Sequence, residues 1–456
     1  LNGLFTYGTD FVKQMNGVFA FAFYDEKQEI LHLFRDRIGV KPLFYTKQGD
    51  TIFFASEIET LLANSGVKPV LDWKGLNEGF SIGPAKTYGC GVFKGIDEVL
   101  PGHLLSYTGA EMKNSCYWKL ESKVHEDNYE QTVEKTAFLL EDAVKNQMVS
   151  GVPVCTFLSG GLDSSLVSAI CARELRKEGK RLHTFSFDFV GNDKNFQANM
   201  FQPSQDRPYV EKMVTFLDSE HHYLECDSRT QADYLYASID AKGLPAMADV
   251  DSSLLYFCSE VSKECKVALT GECADEIFGG YPWFHKKECL EAHTFPWTMD
   301  LAPRKAMLSD EFLEALKMDA YVQETYAKSV AETPRLAGES ALETRRREIS
   351  YLNQKWFMQT LLDRMGGTST RYGLSARVPD YRIVEYLWNV PWEMKAKGGV
   401  VKGLLREAGR GLLPDDILFR KKSPYPKTYD KAYETILVQK MRAIMAETHS
   451  PIRQKR

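Results

Sequence analysis

Short apolar runs broken by polar turns fill the first part of the chain. Gly17-Val18-Phe19-Ala20-Phe21-Ala22-Phe23-Tyr24 alternates small and large apolar groups. The polar Asp25-Glu26-Lys27-Gln28 follows, and Ile30-Leu31-His32-Leu33-Phe34 resumes the apolar run. This pattern predicts a hairpin. Further strands are predicted at Leu43–Tyr45 and Ile52–Ala55, a helix at Ile58–Ala63, and turns at Gly89–Gly95 and Pro101-Gly102. Residues 1–112 thus read as a β-rich unit, and the polar, aperiodic residues 113–130 as a linker.

From residue 131 the period changes. A helix (Thr132–Val149) leads to an apolar run, Val152–Leu158, and then to a helix at 165–178. A strand at Leu182–Phe189, a helix near Tyr209–Leu217 and a strand at His221–Cys226 follow. Helices near Gln231–Ala241 and Ser252–Ser262 precede a strand at Lys266–Leu269, and beyond residue 285 the pattern is mostly helical. Alternating strands and helices predict an α/β unit with a parallel, doubly wound sheet over 131–456.

Composition narrows the class. The 456 residues are 44% hydrophobic and 26% charged, which is ordinary globular usage with length for two or three domains. A net charge of −5 gives no basic surplus for nucleic acid. No apolar stretch is long enough to span a bilayer, and no signal-peptide pattern occurs. The nine cysteines are scattered without a CxxC, and several lie in apolar runs (Cys155, Cys171, Cys258). Buried free thiols in a reducing, cytoplasmic setting are expected. The first residue is Leu1, so a processed product or a fragment of a longer chain is expected.

The chemistry concentrates in Ser159-Gly160-Gly161-Leu162-Asp163-Ser164-Ser165, set between an apolar strand and an amphipathic helix. Such a turn leaves backbone N–H groups and a helix N-terminus free to hold an anion, and its glycines let the backbone come close. A Walker loop would need Gly-Lys-Ser/Thr, and there is no lysine here. The loop matches those that cut ATP between its α and β phosphates, with amides on the departing pyrophosphate and Asp163 on Mg²⁺. A second segment, Thr270-Gly271-Glu272-Cys273-Ala274-Asp275-Glu276-Ile277-Phe278-Gly279-Gly280-Tyr281, sits at the carboxyl end of a predicted strand, where open α/β sheets bind ligands. Its three carboxylates need a compensating cation or donor.

These two segments, with Arg35–Tyr45 and Phe54–Ile58, resemble the glutamine-hydrolysing asparagine synthetases in kind and order. The resemblance runs from about residue 5 to the C-terminus. It implies an α+β glutaminase remnant of the N-terminal-nucleophile type, followed by an α/β parallel-sheet ATP-pyrophosphatase domain with a helical C-terminal part. It implies that ATP and aspartate give β-aspartyl-AMP and pyrophosphate. Ammonia, drawn from glutamine in the complete enzyme, then attacks the adenylate to give asparagine and AMP. By the same resemblance Ser159, Gly160, Gly161, Asp163 and Ser164 bind pyrophosphate and Mg²⁺. Leu158 and the Phe187–Phe189 edge line the adenine pocket, and Thr270 and Gly271 touch the nucleotide. Glu272 is the base for ammonia, Asp275 orients substrate or metal, and Lys402 and Lys422 stand near the phosphates. A homodimer is among the assemblies it allows.

Three departures stand out. The family's glutaminase attacks with an N-terminal cysteine, whereas no cysteine here precedes Cys90, so the chain as given is expected not to hydrolyse glutamine. An Asp-Arg pair of the family is read as replaced at Met365-Gly366-Gly367. A loop is read as two residues short at Arg377-Val378-Pro379-Asp380, with Arg377 and Asp380 expected to pair. The alternatives are a relative adenylating another carboxylate, of the β-lactam-forming type, and a nucleotide-binding remnant without catalysis.

Overall fold

The computed structural model describes residues 1–198, 202, 204–245, 247–377 and 380–447, leaving aside the side chains at 376 and 377. The predicted hairpin forms from β1 (Ala20–Asp25) and β2 (Ile30–Arg35), with Asp25 opposite Ile30. Asp25 closes the reversal by accepting from the Lys27 and Gln28 amides at 2.9 and 3.1 Å, the local bond that suits aspartate to turns. Strands β3 (Phe44–Gln48), β4 (Thr51–Ala55) and β5 (Ile96–Glu98) make a separate antiparallel sheet in the order β4-β3-β5. Strands β6 (His103–Tyr107) and β7 (Met112–Cys116) extend the first sheet to the order β1-β2-β6-β7. Leu33, Leu43, Val99 and Leu105 form a buried cluster joining the two sheets.

Strand β7 corrects the expected linker, because residues 113–116 belong to the sheet. Its residues are almost all exposed, so it is held by main-chain pairing with β6 and not by an apolar face.

The second unit begins with α1 (Tyr129–Met148), started by a capping box between Asn128 and Gln131. It continues through β8 (Val154–Phe157), α2 (Leu162–Lys177), β9 (His183–Phe189), α3 (Arg207–Leu217) and β10 (Glu220–Cys226). Helices α4 (Ser228–Lys242) and α5 (Ala248–Glu264) then lead to β11 (Val267–Leu269) and the short α6 (Ala274–Phe278). A long helical stretch ends in α7 (Gln359–Thr370), followed by β12 (Ser375–Arg377), α8 (Tyr381–Asn389) and α9 (Gly403–Ala408). All five strands run parallel in the order β10-β9-β8-β11-β12. Strand β12 is an addition to the sequence reading. After β8 the chain builds outward to β10, then returns to place β11 on the other side. The switch point lies between β8 and β11, where the carboxyl ends open a crevice. Helix α2 is buried along most of its length, from Leu162 to Ala172. That burial fixes the turn before it.

Candidate functional site

The turn Ser159–Gly161 lies between β8 and α2. Gly160 holds φ +67°, and a Cβ there would meet Tyr209 Cβ at 2.7 Å and Val210 N at 2.8 Å. Only glycine allows this turn to lie against α3. The Ser159 and Ser164 hydroxyls are 3.0 Å apart, and Ser164 Oγ also accepts from the Ser159 amide at 3.2 Å. Gly161 caps α2 without a side-chain bond. The first-turn N–H groups therefore have no side-chain acceptor competing with an anion. Arg420 braces the loop from a distant segment. It donates to the Ser159 carbonyl at 3.1 Å, pairs with Asp206, and lies 3.8 Å over the Tyr209 ring.

The second segment crosses the first. A Cβ on Gly271 would fall 2.6 Å from Ser164 N, so the two loops touch backbone to backbone. Lys402 Nζ, buried, lies 2.5 Å from Asp163 Oδ2 and 2.6 Å from Asp275 Oδ1. Lys422 pairs with the other oxygen of Asp275. Burial works against the Asp275 anion, but Lys402 and Lys422 outweigh it and bring its carboxyl down to about 2. At Asp163 burial prevails over Lys402, the Asp275 charge adds to it, and the carboxyl is raised. Burial also opposes the Lys402 charge, yet its two carboxylates hold the ammonium above its ordinary range. Burial, then the Asp275 charge, push Glu276 up to about 7. Tyr281 donates to Glu276 at 2.6 Å. Glu272 Oε1 accepts from Arg364 on α7 at 2.7 Å, while its Oε2 is buried without a hydrogen bond.

These groups border a cavity of about 400 Å³ at the strand ends. Leu158, Ser159, Gly161, Asp163, Ser164, Thr270, Gly271, Glu272, Asp275, Lys402 and Lys422 all line it. Gly160 stands just behind the lining, packed on α3. Phe187 and Asp188 line the cavity, but Phe189 does not. Phe189 stands on the same face of β9 as Phe187, two residues further on, and is buried against Phe257 and Cys226. Sequence reasoning did not single out Asp206, Arg364, Arg420 or Tyr425. The basic run Arg420-Lys421-Lys422 was a usable signal for Arg420; Arg364, on a helix, gave none.

One expected departure changes on inspection. Met365-Gly366-Gly367 continues α7 as helix, and the charged pair stands directly before it. Arg364 reaches Glu272, and Asp363 lies 3.3 Å from Lys86. The site therefore keeps its charges. Asp380 caps α8, pairs with Arg382 at 2.6 Å and accepts from Asn16 at 3.2 Å. Val378, Pro379 and the Arg377 side chain lie outside the described residues. Asp163 Oδ1 is buried without a hydrogen-bond partner. Two carboxylates beside a phosphate-binding loop are the donor set Mg²⁺ takes together with nucleotide oxygens.

Comparison with known proteins agrees with this geometry. Residues 135–454 match the asparagine synthase family, and residues 1–118 a glutamine amidotransferase domain. The chain is 48% identical over 444 residues to asparagine synthetase [glutamine-hydrolyzing] 3 of Bacillus subtilis (strain 168), covering 97% of this chain and 72% of that protein. It is 32% identical over 292 residues to a putative asparagine synthetase [glutamine-hydrolyzing] 2 of Methanocaldococcus jannaschii, covering 60% of this chain and 51% of that one. It is 30% identical over 300 residues to amidase chyE of Penicillium rubens, covering 64% and 44%.

Proposed function

The chain belongs to the asparagine synthase family, and we propose that its ligase site makes asparagine through an aspartyl adenylate. ATP lays its β and γ phosphates on the Ser159–Ser164 amides and hydroxyls. A side-chain carboxylate oxygen of aspartate attacks the α phosphorus, and the bond to the β-phosphate oxygen breaks. Lys402 and Lys422 stabilise the charge that gathers on the leaving pyrophosphate. Ammonia then attacks the acyl carbon, the bond to AMP breaks, and Glu272 Oε2 takes the proton shed by the new amide nitrogen. Arg364 keeps that carboxylate aimed. Asp163 and Asp275 would hold Mg²⁺, which supplies charge neutralisation on the phosphates.

The observation that carries this reading is the crossing of the two loops at Gly271, with Lys402 tied to Asp163 and Asp275. For a polypeptide of this sequence we propose free ammonia as the nitrogen source. In the region matching the amidotransferase domain the cysteines are Cys90 and Cys116. Cys90 is buried and its thiol is raised by burial, and Cys116 donates to the Trp118 carbonyl at 3.2 Å. Neither is set up as a nucleophile.

The test is exchange of labelled pyrophosphate into ATP. Exchange that needs aspartate, with asparagine formed from added ammonia, is the expected result. Exchange only with another carboxylic acid would favour a second reading, which the similarity to a protein named an amidase supports. No exchange with any acid would leave a nucleotide-binding remnant.

A further inference from the structure

We propose a second cation site, for a borderline divalent transition ion such as Zn²⁺, at the end of the sheet opposite the catalytic cavity. Strands β9 and β10 pair in parallel with His183 opposite Glu220. His222 lies two residues beyond Glu220, so all three side chains stand on one face of the sheet. His221 points to the other face, where its ring is bonded to Thr184 and Ser186 at 2.8 and 2.9 Å. One ligand atom from each of His183, Glu220 and His222 falls within 4.8 Å of the other two. Among the described residues this is the only group of three or more His, Cys, Asp or Glu side chains meeting that condition.

The distances suit the ion. His183 Nδ1 and His222 Nε2 are 3.3 Å apart. Two imidazole nitrogens bound to one tetrahedral zinc at its usual bond length stand about 3.3 Å apart. The two nitrogens face each other at hydrogen-bonding distance, and the ring planes are inclined by 20°. An ion takes the place of that contact once the rings turn about their soft terminal torsions. Glu220 Oε2 is 3.9 Å from His183 Nε2, and its side chain is 54% exposed, free to swing onto the ion as the third ligand. His222 stacks on Phe185 at 4.5 Å, which limits where its ring can go. Water completes the tetrahedron. Two imidazoles and one carboxylate favour zinc, cobalt or copper over the magnesium suited to the catalytic carboxylates. The bound ion would clip the edge strand β10 to β9.

The test uses the full chain with Co²⁺ as probe, in excess Mg²⁺ to occupy hard oxygen sites. One equivalent of Co²⁺ should bind with the visible bands of a tetrahedral centre and be displaced by Zn²⁺. His183→Ala and His222→Ala should each weaken binding by about tenfold or more. His293→Ala, at an exposed histidine elsewhere, should leave it unchanged. Far-ultraviolet circular dichroism without metal checks that each variant is folded. Zn²⁺ should raise the melting temperature of the parent and not of His183→Ala/His222→Ala. Binding that survives the double substitution, or tetrahedral bands absent from the parent, would overturn the proposal.

Discussion

Lys402 is the residue on which the charges of the candidate site balance. Its buried ammonium is shared by Asp163 and Asp275, whose carboxylates are partly buried around it. Lys402→Met leaves them facing each other with Lys422 as the remaining cation near Asp275. Breaking a buried pair in this way costs about 3–5 kcal/mol. Pyrophosphate exchange should also fall by about a hundredfold or more, as when one transition-state donor is lost. Urea unfolding and the exchange assay read the two effects separately, and a variant as stable and as active as the parent would remove Lys402 from this role. Glu276 gives a prediction of opposite sign. Its carboxyl rises from 4.5 to about 7 on folding. Below the lower value both states hold the proton. As pH climbs between the two values the unfolded chain gives up its proton first, so stability falls, and above the upper value the full cost of about 3 kcal/mol is present. Glu276→Gln removes the titrating group. The stability of the parent relative to this variant should therefore decline by about that amount from pH ~4.5 to pH ~7.5. A difference that is flat with pH would show that Glu276 carries no such penalty.

At the level of elements, what the sequence revealed depended on apolar burial. The hairpin of β1 and β2 and the strand, turn and helix around Ser159 each set an apolar pattern against a short polar break, and each formed where that pattern placed it. Strand β7 was hidden because Met112-Lys113-Asn114-Ser115-Cys116 is exposed, and main-chain pairing leaves no mark on hydropathy. Strand β12 is three residues long, too short for any period to register. Phe189 stands two residues beyond Phe187 on the same face, where Phe257 and Cys226 cover it, a contact the strand's own pattern does not show. Arg364 and Arg420 reach the cavity from segments remote in sequence from Ser159 and Thr270, and no local pattern announces such a meeting. Helix α7 offers a matched test of how its glycines were read. A Cβ on Gly366 would meet nothing within 4 Å, whereas one on Gly367 would fall 2.9 Å from Lys242 Cγ and 3.0 Å from the Ala241 carbonyl. Gly366→Ala should therefore stabilise the protein by about 0.5–1 kcal/mol, the ordinary gain of alanine over glycine inside a helix. Gly367→Ala should forfeit that gain, because α4 must give way. Chemical denaturation of the two variants checks the contrast, and equal shifts would contradict the packing of α7 on α4.

Across the whole molecule, one buried charge cluster joins the two-sheet unit to the ligase unit. Glu98 on β5 is buried, lying 2.9 Å from Arg35 at the end of β2 and 2.6 Å from Lys86. Lys86 reaches 3.3 Å to Asp363 on α7, and Gln359 on the same helix donates to the Gly39 carbonyl at 3.2 Å. The residue after Asp363 is Arg364, which holds Glu272. A helix that docks one unit onto the other thus also holds Glu272, the carboxylate proposed to receive the proton from ammonia. Burial works against the Lys86 charge, but Asp363 and Glu98 outweigh it and hold the ammonium above its ordinary range. Glu98→Gln keeps the shape and removes the shared anion, leaving Arg35 with backbone carbonyls and Lys86 with Asp363. The expected cost is about 3–5 kcal/mol, the penalty for uncompensated buried charge. Because Lys86 is then drawn toward Asp363 alone, α7 should shift. Aspartate-dependent pyrophosphate exchange, which precedes ammonia attack in the proposed reaction, should be less affected than asparagine formation in a variant held folded at low temperature. Equal losses in both reactions would mean that Glu98 supports only the fold. A destabilisation below about 1 kcal/mol would place the cluster among ion pairs that contribute little.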